Sequence, residues 1–144
     1  MTIIFLTNNL FSQDVYSEYK FFKEKLPNKN FRFHCTELDS LILFKDKSYS
    51  RIYSYQCHQL DYSEQKGNWK IENGILYLNA TGNKSDRNDI DWTILNFEYK
   101  FKVRRSKLVF LTRDKPFSMD DDGNFNVSRK LKKVKKRFAN KGYN

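Results

Sequence analysis

Several things are scarce in this 144-residue chain, and each scarcity closes off a class of protein. Five Gly and two Pro are too few for a collagen-like repeat or a low-complexity linker. No apolar run is long enough for a membrane-spanning helix. Only two Cys are present, and a chain of this size can bury roughly 68–70% of its unfolded surface in one core, so it needs neither a disulfide framework nor a structural metal. There is no glycine-rich phosphate loop, no Gly-x-Ser-x-Gly elbow and no His-Glu-x-x-His. No cofactor is therefore expected.

Negative charge is missing from one part of the chain. The net charge is +10, from 27 Lys and Arg against 17 Asp and Glu, yet no acidic residue occurs from Ser128 onward. Eight of the basic residues lie there: Arg129, Lys130, Lys132, Lys133, Lys135, Lys136, Arg137 and Lys141. The preceding 127 residues are nearly balanced, with 19 basic and 17 acidic groups. A basic appendage reads as a contact module or a solubilising end rather than as a charged groove. Ser128 can cap a helix in which Leu131, Val134 and Phe138 recur at spacings of three and four, so a basic amphipathic helix is expected over 128–144. Such a helix could dock on the body, or place Arg129, Lys130, Lys132, Lys133, Lys135, Lys136 and Arg137 against an anionic surface.

What the chain has in abundance is aromatic residues, 17% of the total, and these alternate. Leu95, Phe97, Tyr99, Phe101 and Val103 interleave with Asn96, Glu98, Lys100, Lys102 and Arg104, giving one apolar and one solvated strand face. Period-two stretches predict strands over 31–36, 41–44, 49–57, 68–72, 75–79, 92–103 and 107–112. Asn73-Gly74 predicts a two-residue type I′ hairpin, and the chain is expected to reverse again near Arg104-Arg105-Ser106. Val15, Tyr19, Phe22 and Leu26, spaced four, three and four before Pro27, predict a short N-terminal helix. The fold expected is mainly β: one domain over 14–127, an antiparallel meander forming a barrel or strongly curved sheet, flanked by these two helices.

Cys35 and Cys57 each share the aromatic face of a predicted strand. Adjacent strands would bring them within bridging range in an oxidising compartment; two reduced core cysteines are the other reading. His34 and His58 alternate to the opposite faces, so a Cys2His2 site or a Cys–His dyad is not expected, and no metal site is assigned. Asp86, Asp89 and Asp91, or Asp61 with Glu64, imitate acid/base couples, but loop carboxylates are usually just solvated. Asp120-Asp121-Asp122-Gly123-Asn124 does not fit an EF-hand register, since Arg129 stands where a bidentate Glu is required. No catalytic residue is assigned, and enzymatic activity is not expected.

Residues 67–78, Gly-Asn-Trp-Lys-Ile-Glu-Asn-Gly-Ile-Leu-Tyr-Leu, resemble a hairpin of small exported bacterial proteins of lipocalin-like type, most of them without an assigned function. That resemblance implies a β-barrel or half-barrel whose aromatic residues, here Trp69, Phe97, Tyr99 and Phe101, fill or line the interior. In true lipocalins the Gly-x-Trp motif opens the first strand, whereas here it lies mid-chain, so their ligand transport does not carry over. Residues 1–13 are apolar and uncharged and resemble the end of a secretory signal peptide; the alternative is a first strand at Ile3–Leu6. These readings suggest an extracytoplasmic protein, periplasmic or secreted, that binds an unknown ligand or protein partner without catalysis. The alternative is a cytoplasmic nucleic-acid-binding domain that uses the basic C-terminal helix.

Overall fold

The computed structural model describes residues 14–111 and 130–135. Eight strands follow one another around a closed antiparallel barrel: β1 (Val15–Lys25), β2 (Cys35–Phe44), β3 (Ser48–Gln56), β4 (Leu60–Glu72), β5 (Ile75–Lys84), β6 (Thr93–Val103), β7 (Lys107–Phe110) and β8 (Lys130–Lys133). Every sequential pair is hydrogen-bonded, and closure comes from β8 lying between β7 and β1, with Lys20 opposite Lys132. The closing ladders are short: among the described residues β6 pairs with β7 at Phe101–Val103, and β1 with β8 at Tyr19 and Lys20.

The alternation seen in sequence becomes an inside and an outside. Leu41 and Leu43, Leu76, Leu78 and Ala80, Tyr99 and Phe101, Leu108 and Leu131 face inward and are almost fully buried, with Tyr19, Tyr49 and Trp69 among them. Their neighbours in each strand face out, as period two requires. Asn73 and Gly74 both have positive φ, 51° and 73°, and join Glu72 to Ile75 in the expected two-residue turn. The second reversal is also present: Val103 pairs with Leu108 across the turn at 104–106. Gly67 faces a bulge in β5, where Thr81 is the extra residue, and a Cβ there would fall on the carbonyl of Asn79 and 2.9 Å from the Tyr49 ring, so only glycine permits that approach.

Neither expected helix occurs among the described residues. The N-terminal one is strand β1, which pairs with β2 from Val15↔Phe44 to Lys25↔Cys35. In β1, Ser17, Tyr19 and Phe21 alternate inward, whereas Val15, Phe22 and Leu26, three of the four residues of the supposed helical face, are exposed. Spacings of four, three and four fit a helical stripe, but Ser17, Tyr19 and Phe21 also carry a period-two face, and long-range pairing with β2 selects the strand. At the other end, Lys130–Lys133 form β8, with Leu131 buried and Lys130 and Lys132 outside. Four residues carry too short a period-two signal to compete with a helical one, but the barrel requires an eighth strand to close. Residues 136–144 lie outside the described residues. The strand expected at 31–36 begins only at Cys35, and β4 and β5 extend beyond the expected strands, into 60–67 and 80–84.

Candidate functional site

Two charged residues are fully buried inside the barrel. Asp39 is in phase with Leu41 and Leu43 on β2, and Arg51 with Tyr49 and Tyr53 on β3, so both point inward and neither has measurable contact with solvent beyond 2%. They meet as a fork: Arg51 Nε donates to Asp39 Oδ1 at 3.0 Å and an Arg51 terminal nitrogen donates to Oδ2 at 2.7 Å. This bidentate geometry is the strong form of a charge-assisted hydrogen bond. Burial opposes the charge on Arg51, but the adjacent carboxylate and its hydrogen bonds outweigh it and hold the guanidinium pKa above its ordinary value. The guanidinium carbon also lies 5.7 Å and 5.6 Å from the ring centroids of Tyr99 and Phe101, within cation–π range.

A neutral chain crosses the interior beside this pair. The Tyr49 hydroxyl donates to Gln65 Oε1 at 2.8 Å, and Gln65 Nε2 donates to the Tyr99 hydroxyl at 3.2 Å, joining β3, β4 and β6. Burial raises the pKa of both phenols, most strongly that of Tyr49, against the opposing influence of Arg51. The mid-barrel is thus polar, with Asp39 bonded to Arg51 and Gln65 bonded to both Tyr49 and Tyr99. Its groups hold one another rather than standing ready to move protons, which is the arrangement of a structural floor.

The interior differs above and below this floor. On the side of the tight turns, Leu43, Leu76, Leu78 and Trp69 fill the barrel, and Trp69 Nε1 donates to the Phe44 carbonyl at 2.8 Å. Tyr16 stacks outside that ring at 4.8 Å and Lys47 Nζ lies 4.1 Å from its centroid. On the other side, where β1 ends and β2 begins, inward-facing residues are only partly buried: Phe21, Glu37, Tyr53, Asn83, Leu95 and Phe97. Tyr53 donates to Glu37 at 3.2 Å and Ser63 donates to Asn83 at 3.1 Å. This end is a mouth lined by both hydrogen-bonding and aromatic groups.

Apolar residues ring that mouth. Eight of the eleven exposed large apolar residues among the described ones lie at this end: Phe22, Leu26, Phe33, Tyr55, Leu60, Ile90, Ile94 and Leu111. Ile90 and Ile94 are 89% and 91% exposed, so they bury almost nothing within the barrel itself. Opposite them the rim is held firmly. Cys35 and Cys57 form a disulfide between the start of β2 and the short β3–β4 connection, the Phe33 and His58 rings meet edge to face at 3.9 Å, and Lys25 lies over Phe31 at 3.7 Å. His34 pairs with Glu24 at 2.6 Å. Both histidines are thus engaged on the rim, and both cysteines are held in the disulfide.

Of the aromatic residues singled out in sequence, Trp69, Tyr99 and Phe101 are buried in the filled part of the barrel, while Phe97 is half-buried toward the mouth and contacts Tyr99 edge to face at 4.6 Å. Of the basic tail, Lys130, Lys132, Lys133 and Lys135 are exposed; Arg129, Lys136 and Arg137 lie outside the described residues, as does Asp120–Asp122. Asp86 and Asp89 cap the backbone of their own loop, accepting from Asn88 and Asp86 amides at 2.9 Å and 3.1 Å. Among the described residues no three His, Cys, Asp or Glu side chains converge on a metal-sized point. Asp39, Arg51 and Gln65 were missed in sequence, although one signal pointed to them: opposite charges on the inward phase of neighbouring strands.

The outer wall carries a shallow groove of about 470 Å³, bordered by Phe44, Ser50, Lys66, Asn68, Thr81 and Trp92. The Trp92 ring lies between the ammonium groups of Lys66 and Lys84, at 4.4 Å and 4.5 Å, and is occupied by them. No helix among the described residues is long and apolar enough to cross a membrane. No protein-family model matches the chain, and neither the curated proteins nor the solved structures compared with it include a match.

Proposed function

We propose that the protein is an exported, non-enzymatic binding barrel that takes an amphipathic ligand, or an apolar segment of a partner, at the mouth between β1–β2 and β5–β6. The observation that carries this reading is the ring of exposed apolar side chains around a half-open polar mouth. Exposed patches of this kind, rimmed by polar groups, mark binding sites more often than chance surface. The apolar part of a ligand would lie on Phe22, Ile90 and Ile94, while its polar group would reach Tyr53, Glu37 and Ser63. The Cys35–Cys57 disulfide supports the compartment in this reading, since such bonds persist outside the reducing cytosol, and it pre-organises one side of the rim. The engagement of Asp39 with Arg51, and of Gln65 with Tyr49 and Tyr99, supports binding over chemistry.

The test uses the apolar anionic dye 1-anilinonaphthalene-8-sulfonate. Its fluorescence is expected to rise on adding the full chain and to fall at least threefold for Phe22→Ser/Ile90→Ser/Ile94→Ser, with the circular dichroism spectrum unchanged. Equal enhancement by the triple variant would remove the mouth from consideration.

A further inference from the structure

On the outer wall, three lysines stand directly opposite one another on adjacent strands. Lys107 of β7 pairs with Lys132 of β8, and Lys132 pairs with Lys20 of β1. Arg104 extends the row, its amide bonded to the Lys107 carbonyl at 2.9 Å. One level along the strands, Lys102 pairs with Val109 and Val109 with Lys130, a second and parallel row. Lys20, Lys102, Lys107, Lys130 and Lys132 alternate with buried neighbours, Tyr19, Phe101, Leu108 and Leu131, and so face outward, and Arg104 is exposed at the turn that follows β6. Like charges directly opposite in a sheet are destabilising, and neighbouring strands are only about 4.8 Å apart. Within this group the described ion pairs reach one residue: Lys20 meets Glu18 at 3.0 Å. Among the described residues, such a ladder holds a positive field along a line around the girth, met by one carboxylate, that of Glu18.

We infer that this wall of β6, β7, β8 and β1 binds a linear acidic polysaccharide, whose repeating carboxylate or sulfate groups follow the Arg104–Lys107–Lys132–Lys20 row. The row crosses four neighbouring strands, about 14 Å at the ordinary strand spacing, and bends with the barrel. A flexible chain with one charge per sugar can follow that curve, whereas a flat bilayer meets a convex wall along a narrow strip. Bilayer binding also calls for apolar side chains to insert among the charges, and within the two rows the described residues offer Val109 alone. Single-stranded nucleic acid calls for open aromatic faces; the neighbouring Tyr77 ring instead has Lys70 and Lys100 at 5.2 Å and 5.8 Å from its centroid. The disulfide favours a compartment where acidic glycans rather than nucleic acids abound. Lysine, a hydrated point charge, suits spaced single charges better than bidentate phosphate recognition, for which arginine is the stronger choice. The surface is independent of the mouth, so it stands or falls apart from the ligand reading above.

The experiment measures binding of the full chain to polygalacturonate and to dextran sulfate, carboxylate and sulfate sources respectively, beside a thymidine oligonucleotide and phosphatidylglycerol vesicles at equal ionic strength. Lys20→Gln/Lys107→Gln/Lys132→Gln is compared with Lys23→Gln/Lys29→Gln/Lys45→Gln, a control of the same charge change placed elsewhere. The expected result is polysaccharide binding that the ladder variant weakens at least tenfold and the control less than threefold, with the ladder variant melting no lower than the parent chain. Equal losses in the two variants would reduce the effect to net charge and overturn the proposal. So would tighter binding to the oligonucleotide or the vesicles, or no polysaccharide binding by the parent chain.

Discussion

At one end of the barrel the strands reverse within two or three residues, at 45–47, 73–74 and 104–106; at the other, β1–β2 and β5–β6 are joined by nine and eight residues. The first end is filled by Leu43, Leu76, Leu78 and Trp69, and the second has Tyr53, Glu37, Ser63 and Asn83 on its inner wall with isoleucines exposed around it. The same strands therefore serve two purposes along their length. Tight turns and aliphatic side chains make a plug that carries the folding energy, and this frees the opposite end to hold polar groups and exposed apolar ones that contribute little to stability. Asp39 and Arg51 mark the boundary between the two.

The comparison breaks most severely at that boundary. Arg51→Met leaves the Asp39 carboxylate buried without its fork, and a loss of about 3–5 kcal/mol is expected in urea unfolding. Asp39→Leu/Arg51→Met should recover most of it, because replacing both charges removes the desolvation cost as well as the attraction. If the double variant is as unstable as the single, the floor owes its stability to something other than the pair.

The next effect separates the ends directly. Leu78→Ala at the plug is expected to cost about 2–5 kcal/mol, while Ile94→Ala at the rim should stay within about 0.5 kcal/mol. Similar losses would mean that the rim is part of the core. Reducing Cys35–Cys57, which are 22 residues apart, is expected to cost about 3 kcal/mol by the loop-closure argument. Mass spectrometry with and without reductant checks the bond, and melting under the same two conditions checks its contribution.

The smallest effect is invisible at neutral pH. Burial holds Tyr49, Tyr99 and Tyr19 above the ordinary phenol pKa of 10.0. Their contribution is complete below pH 10, where folded and unfolded phenols are all neutral. It is lost as pH rises through the folded values, because the unfolded chain ionises first. Absorbance at 295 nm should show these three ionising only above the ordinary phenol range, together with unfolding. Early titration of all nine would contradict the burial of Tyr49.

The plug was more legible in sequence than the mouth, and for one physical reason. Hydrophobic alternation reveals a strand only where its inward residues are apolar. Residues 75–79 and 95–103 met that condition and were located, together with the Asn73-Gly74 turn. Residues 60–67 put Ser63, Gln65 and Gly67 inside, and 80–84 put Gly82 and Asn83 near the mouth, so these halves of β4 and β5 read as loop. The segments hidden by polarity are the ones that line the candidate site. β1 was misread because Val15, Tyr19, Phe22 and Leu26 fit a helical stripe by spacing alone, and Tyr19 is the only one of the four that the barrel buries. The lysine ladder was beyond reach for another reason: its members come from residues 20, 107 and 132, and only the closure of β8 against β1 brings them side by side.

The division of labour between plug and mouth is tested most directly by backbone amide chemical-shift mapping of the full chain titrated with 1-anilinonaphthalene-8-sulfonate. Shifts confined to residues 21–34, 53–63 and 83–97, with Tyr16, Trp69, Asn73 and Gly74 unmoved, are the expected result. Shifts centred on Trp69 and the tight turns, or spread evenly over the barrel, would contradict it.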